Sequence, residues 1–316
     1  MIFLEIILLI IGFTLLVKGA DAFVDGCSSL AKAFGIPSLI IGLTIVAFGT
    51  SAPELAVSLV AAFKGNSAIS VGNVVGSNIC NMLLVLGGAS LFGTLHCKKK
   101  VVERDYFYLL ISYFALLIIS FGTFNLKTEA GIINRVDGLL LLCFLGVYVY
   151  SLIMDTKKEI KKQEKTKEKV TFKKILFIII GLIAIIGGGE LVVNSATGIA
   201  KIIGLSDSVI ALTIVAVGTS LPELVTSVVA VKKGESDLAI GNVIGSNIFN
   251  IFLILGLSAT VNSLTISFTS LIDMLVMLGA GLLVYGFTLK DQKITKQRGL
   301  VLLVFYFAYV GYLLVR

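Results

Sequence analysis

Two short stretches hold the residues best suited to chemistry. Pro53-Glu54 and Pro222-Glu223 each lie within an apolar run, and each is surrounded by the same set of oxygen-bearing side chains. Thr50, Ser51, Ser58, Asn73, Ser77 and Asn81 recur as Thr219, Ser220, Ser227, Asn242, Ser246 and Asn250. Ser77 and Asn81 are one helical turn apart and share a face. Carboxylate, carbonyl, hydroxyl and amide oxygens, with no imidazole or thiolate among them, select hard cations. Ca²⁺ takes about 6–8 such ligands in a flexible shell, whereas Mg²⁺ keeps its waters. Two glutamates balance one Ca²⁺ in charge, and the same carboxylates could hold Na⁺ ions over adjacent subsites. Ions that compete for one pair of carboxylates cannot cross together, so competition plus alternating access gives antiport.

A glutamate at bilayer depth costs on the order of 3 kcal/mol or more unless it faces a partner or a cavity. No lysine or arginine lies mid-span to neutralise Glu54 and Glu223. Lys18 is near the end of its apolar run, and its counterpart position is Gly187. Metal cations are the natural counter-ions. The alternative, two protonated glutamates, leaves the repeated hydroxyls and amides around them unexplained. Interhelical hydrogen bonding accounts for any one of those side chains but poorly for the whole set repeated.

The prolines add backbone ligands. The chain has 3 prolines, and two of them are the equivalent Pro53 and Pro222. Proline lacks an N–H and clashes with the carbonyl four residues back. The turns Gly49-Thr50-Ser51 and Gly218-Thr219-Ser220 should therefore break. Carbonyls freed within a membrane need new partners, and a bound cation is a suitable one.

The elements that position these residues must be membrane helices. Hydrophobic residues make up 57% of the 316, and charged residues only 14%. A spanning helix needs roughly 20 mostly apolar residues. Ten such segments can be drawn, near 2–33, 38–63, 69–92, 105–122, 134–153, 174–201, 207–231, 238–261, 268–287 and 298–315. The N-terminal apolar stretch continues into the first span without a small-residue cleavage site, so no signal peptide is evident.

The chain also repeats itself. Residues 42–90 align with 211–259 without a gap at an offset of 169, and 28 of the 46 positions in 42–87 are identical. Asp21 falls opposite Glu190 in the preceding span. Five spans per half is an odd number, so the second half enters the membrane from the opposite side. This is the inverted repeat of many secondary transporters, with a pseudo-two-fold axis in the membrane plane. The expected architecture is an all-α membrane protein of ten helices in two inverted five-helix repeats, with broken helices at mid-membrane. The first repeat is 1–154, a basic linker is 155–173 and the second repeat is 174–316. Glu54 should then meet Glu223. Gly72, Gly76 and Gly87 should allow close helix approach around Ser77.

The net charge of +7 is concentrated in loops rather than spread over a nucleic-acid footprint. Lys98, Lys99, Lys100 and Arg104 follow span three. Lys157, Lys158, Lys161, Lys162, Lys165, Lys167 and Lys169 follow span five. Lys232 and Lys233 follow span seven, and Lys290, Lys293, Lys296 and Arg298 follow span nine. With ten spans these loops share one side, the cytoplasm by the positive-inside rule. Both termini are then extracellular. The 155–173 linker reads as a solvated connector. The Cys27, Cys80, Cys97 and Cys143 spacings imply neither disulfide nor zinc site, and His96 cannot build a metal site alone. Asp21, Asp25, Glu190, Asp137 and Asp273 read as helix-end or interfacial groups.

An intramembrane enzyme is disfavoured. It would need a nucleophile with a base, a metal-binding histidine cluster or an aspartate dyad, and none of these is visible. A channel has no need of a mid-membrane site of this kind.

The paired motifs GTSAPEL…GNVVGSNICN and GTSLPEL…GNVIGSNIFN resemble the α-repeats of the calcium/cation antiporter superfamily, most closely its prokaryotic sodium/calcium exchangers. The resemblance covers the whole ten-span plan. It implies a cell-membrane antiporter that needs no cofactor and acts on Ca²⁺ and Na⁺ within lipid; a monomer would suffice, and the sequence leaves the oligomeric state open. It implies a Ca²⁺ site from Glu54 and Glu223 with backbone oxygens at Thr50 and Thr219. It further implies one Na⁺ site from Ser51, Ser77 and the Ala47 carbonyl, and another from Ser220, Ser246 and the Ala216 carbonyl. In that family the first and sixth spans slide over an eight-helix core. Several sodium-driven relatives have Asp where this chain has Asn250, matching Asn81; the potassium-dependent branch usually has an acid there, which argues against K⁺ coupling. Proton-coupled exchange stays open as the second reading, although GTS-x-PEL is the sodium-type spelling.

Overall fold

The computed structural model describes residues 2–160, 172–204 and 216–316. The first element, α1 (Ile2–Phe34), is a single long helix. It is followed by α2 (Ser38–Thr50) and α3 (Ala52–Phe63), two arms bent by 48° at Ser51. Then come α4 (Ser67–Ser90), α5 (Val101–Gly122), α6 (Arg135–Ile160) and α7 (Phe172–Ile202). The short α8 (Ala216–Gly218) leads through a turn into α9 (Leu221–Lys232). The chain finishes with α10 (Ser236–Val261), α11 (Phe268–Asp291) and α12 (Lys296–Val315).

Among the described residues, 8 helices are long and apolar enough to cross a membrane, or 9 if the bent pair α2–α3 is one span. The first part of the expected span 207–231 lies outside the described residues, as do Lys161, Lys162, Lys165, Lys167 and Lys169 of the linker.

The spans divide by what covers them. The apolar window of α10 is 94% buried inside the protein and that of α4 72%, whereas those of α1 and α12 are 17% buried. A helix with an apolar face toward lipid needs no core partner there, so α4 and α10 form the centre and α1 and α12 the rim. At that rim α1 lies along α7 with little between the backbones. A Cβ placed on Gly19 would come within 2.9 Å of the Gly181 carbonyl oxygen. Only glycine permits so close an approach.

The chain is not wholly helical. Strand β1 (Leu95–His96) pairs antiparallel with β4 (Lys293–Ile294), and β2 (Ala130–Ile133) with β3 (Leu264–Ser267). Periodicity gave no sign of these ladders, because each joins loops far apart in sequence. α5 runs from β1 to β2, and α11 runs from β3 to β4. Both helices have the length of a membrane span. The two ladders therefore lie at opposite ends of the bundle.

The four cysteines are free. Cys97, in the loop after α4, is buried, and burial pushes its thiol up to about 12. It is a packing residue, as its spacing indicated.

Two helical irregularities sit beside the polar motif. A π-helical stretch covers Asn81–Val85 in α4, and another covers Asn250–Leu255 in α10. They begin at equivalent positions. Such bulges widen the helix locally and often mark functional sites. A third, Gly42–Val46 in α2, precedes Ala47.

Candidate cation-binding site

The proline breaks form as the sequence predicts. Ser51 (φ −82°, ψ 8°) separates α2 from α3, and Ser220 (φ −89°, ψ 4°) precedes α9. Each proline then sits in the first turn of the following arm, where its missing N–H costs nothing. Glu54 and Glu223 lie in those first turns and are fully buried. A helix N-terminus favours a carboxylate, so each break both frees carbonyls and seats an acid.

Hydrogen bonds hold one oxygen of each glutamate. Ser77 Oγ donates to Glu54 Oε1 at 3.2 Å, and Ser246 Oγ lies 3.4 Å from Glu223 Oε1. Behind them Asn73 Nδ2 donates to the Glu54 carbonyl at 3.1 Å and to Ser58 Oγ at 2.8 Å. Asn242 repeats this with the Glu223 carbonyl at 3.4 Å and Ser227 Oγ at 3.0 Å. Asn73, Ser58, Asn242 and Ser227 thus pin α3 to α4 and α9 to α10. Their visible role is to brace the glutamates.

The flanking groups differ from the sequence expectation. Ser51 was expected beside Ser77 and the Ala47 carbonyl, and Ser220 beside Ser246. Instead Ser51 Oγ donates to Glu223 Oε1 at 3.0 Å, and Ser220 Oγ lies 3.3 Å from Ser77 Oγ. Ser246 Oγ, not Ser77, approaches the Ala47 carbonyl, at 3.4 Å. The grouping crosses between repeats, with each serine at its break contacting a residue of the other half. Thr50 crosses as well, donating to Asn242 Oδ1 at 3.0 Å. Thr219 is half-buried and borders a cavity. Ala216 opens α8.

Asn81 and Asn250 are both buried, but their contacts differ. Asn250 Nδ2 donates to Ser77 Oγ at 3.2 Å and to Asn78 Oδ1 at 2.9 Å. The Asn81 amide has no hydrogen-bond partner at either atom. Asn78 and Asn247 were not singled out as site residues, although both recur in the repeated GSN triplet. Asn78 Nδ2 donates to the Asn247 carbonyl at 3.3 Å, and Tyr113 Oη donates to Asn247 Oδ1 at 2.9 Å.

Four buried oxygens around this cluster accept no hydrogen bond: Glu54 Oε2, Glu223 Oε2, Asn81 Oδ1 and Asn250 Oδ1. An unpaired buried acceptor costs about 1–3 kcal/mol, more if charged. Four at equivalent positions in two halves fit a cation better than chance. Among the described residues no group of three or more His, Cys, Asp or Glu gathers to hold a metal. Any cation here takes neutral oxygens beside the two carboxylates.

Gly72 and Gly76 do not mediate close helix approach, contrary to expectation. A Cβ on either would meet nothing within 4 Å. They line a cavity of about 380 Å³ that reaches Ser77 and Thr219 from Asp273, Tyr309 and Arg316. Gly87 does pack closely: a Cβ on it would lie 3.0 Å from the Gly299 carbonyl oxygen. A second cavity, of about 410 Å³, borders Pro53, Thr219, Pro222 and Glu190.

The sodium/calcium exchanger protein family matches residues 4–154 and 173–315. The chain belongs to that family. It is a multi-pass membrane ion antiporter of the calcium/cation superfamily, and a transporter rather than an enzyme. It is 37% identical over 321 residues to a putative antiporter, CaxA, of Alkalimonas amylolytica, covering 97% of this chain and 96% of that one. It is 34% identical to the sodium/calcium exchanger MaX1 of Methanosarcina acetivorans, covering 98% of each. Among solved structures it is similar to the sodium-calcium exchanger NCX_Mj soaked with Na⁺ and Sr²⁺. The TM-score is 0.84 at 32% identity, covering 98% of this chain and 99% of that one.

Proposed function

We propose that the chain exchanges Ca²⁺ for Na⁺ across a cell membrane by alternating access. The carrying observation is the set of four unpaired buried oxygens, two carboxylate and two amide, supplied equally by the two halves. Ca²⁺ binds between Glu54 and Glu223, with Asn81, Asn250 and backbone oxygens at Thr50 and Thr219 completing the shell. Na⁺ ions occupy flanking positions that use the same carboxylates. One group is Glu54, Ser77, Ser220 and the Ala216 carbonyl. The other is Glu223, Ser51, Ser246 and the Ala47 carbonyl. Because both ions need both glutamates, occupancy by one excludes the other. The names of MaX1 and NCX_Mj as sodium/calcium exchangers support this assignment.

The supporting architecture is ten spans in two inverted repeats, 1–154 and 174–316, joined by the linker 155–173. The loops that hold β1 and β3 are equivalent at the offset of 169, yet their ladders lie at opposite ends of the bundle. Equivalent loops on opposite faces are what inversion requires. The lysine-rich loops lie in the cytoplasm and the termini outside.

The test is ⁴⁵Ca²⁺ uptake into proteoliposomes with Na⁺, K⁺ and pH gradients imposed separately. Uptake driven by an outward Na⁺ gradient and lost in Glu54→Gln supports the proposal. Uptake indifferent to Na⁺ and driven by a pH gradient would assign proton coupling instead.

A further inference from the structure

One cluster of charges outside the site has an unequal twin. Lys233, just past α9, holds two aspartates of α1, with Nζ 2.8 Å from Asp21 Oδ1 and 2.6 Å from Asp25 Oδ1. Its ammonium also donates to the Asp21 carbonyl at 3.0 Å. Two residues on, Glu235 accepts a hydrogen bond from Ser28 Oγ, one turn further along α1. Four contacts therefore clamp α1 to the α9–α10 turn.

The repeat places Lys64, Asn66, Glu190, Asn194 and Thr197 at the positions of Lys233, Glu235, Asp21, Asp25 and Ser28. The turn itself is conserved between halves, since Gly65 and Gly234 have φ of +71° and +77°. Yet Lys64 and Glu190 are both exposed, and neither has an ion-pair partner among the described residues. Glu190 borders the 410 Å³ cavity beside Pro53 and Thr219. Lys64 borders an adjoining cavity of about 510 Å³, and the two share Ala56 and Val57. The clamp is closed at one position and an opening stands at the other.

The two positions are on opposite faces. Asn262, two residues before β3, donates to the Ala62 carbonyl beside Lys64. His96, in β1, bonds Ser236 beside Lys233, and Lys98 pairs with Asp237. Lys64 thus sits at the β2–β3 ladder and Lys233 at the β1–β4 ladder.

We propose that these are alternating latches: Lys233 on Asp21 and Asp25 holds one face shut in the state seen here, and Lys64 on Glu190 holds the other face shut in the opposite state. This rests on the alternating-access reading above. The two latches are unequal. The first has two carboxylates for one ammonium, and the second has a carboxylate and the neutral Asn194. The protein therefore rests with the Lys64 face open.

Cysteine reporters test this without any ion gradient, so the result is separable from the flux assay. Val57→Cys lines both open cavities, and Thr226→Cys is its buried equivalent on the latched side. The full-length protein carries one reporter at a time, with Cys143→Ser, and labelling by a hydrophilic maleimide is timed in detergent. Lys233→Gln is expected to speed labelling of Thr226→Cys and slow that of Val57→Cys, each about three- to tenfold, the scale of two exposed ion pairs. Lys64→Gln is expected to slow labelling of Thr226→Cys. The exchanged set Lys233→Asp with Asp21→Lys should return both rates toward their original values. Unchanged rates in Lys233→Gln would overturn the proposal. So would both reporters speeding up together and staying fast in the exchanged set, since that marks loosening rather than a shift between states.

Discussion

Ser51 Oγ donates to Glu223 Oε1 at 3.0 Å, so the residue at one helix break holds the carboxylate that follows the other. The two glutamates therefore do not belong to separate half-sites. Ser77 receives Ser220 and Asn250 from the second half while it holds Glu54 of the first. A change in either sequence repeat reaches both carboxylates.

Glu54→Gln and Glu223→Gln each remove one charge from a pair that has no basic partner. Breaking a buried charge interaction costs about 3–5 kcal/mol. At tenfold per about 1.4 kcal/mol, initial ⁴⁵Ca²⁺ uptake should fall by at least ~100-fold in either variant. Because the site is shared, the two variants should be similar. A variant that kept near-normal uptake would exclude its glutamate as a ligand.

Asn81→Ala separates ligand from scaffold. The Asn81 amide is buried with no hydrogen-bond partner, so its loss should not lower ion-free stability. Removing an unpaired buried group recovers about 1–3 kcal/mol. The expected result is an unchanged or raised Tm in chelator, with Ca²⁺ affinity weakened roughly tenfold. Asn73→Ala should behave oppositely, lowering Tm in chelator because two hydrogen bonds are lost.

Ca²⁺ should stabilise the purified protein. A ligand at a hundred times its Kd adds about 2.7 kcal/mol to the folded state. Tm should rise with Ca²⁺, fall again on chelation, and rise at high Na⁺ without Ca²⁺. The double variant Glu54→Gln, Glu223→Gln should show neither rise. A Ca²⁺ response that survived in it would place the ion elsewhere.

Gly76→Ala and Gly245→Ala occupy equivalent positions with opposite expectations. A Cβ on Gly76 meets nothing within 4 Å, whereas one on Gly245 would be 2.7 Å from Ala47 Cβ. Gly76→Ala should raise Tm, because alanine suits a helix by about 0.5–1 kcal/mol over glycine. Gly245→Ala should cost about 1–3 kcal/mol by overpacking and should shift Ala47. Thermal melts of the two variants check this directly.

That contrast also marks what the sequence could reveal. The breaks at Ser51 and Ser220 were legible because proline acts on its own turn. The pairing of halves was legible because Thr50, Ser77 and Asn81 all recur at one offset. The partner of Ser51 was not, since it depends on how two broken helices cross. The different surroundings of Gly76 and Gly245 were also hidden, because nearly equal sequences here occupy unequal halves of one state. The ladders joining β1 to β4 and β2 to β3 escaped notice because two to four residues pair across more than a hundred.

Those ladders have a mechanical consequence. Each stitches a loop of one half to a loop of the other, one stitch at each end of the bundle. Two halves so fastened resist opening like a hinge. The stitched helices form a frame, and neither α1 nor α7 borders a strand of either ladder. That pair lies outside both stitches, as a shuttle lies outside the frame of its loom.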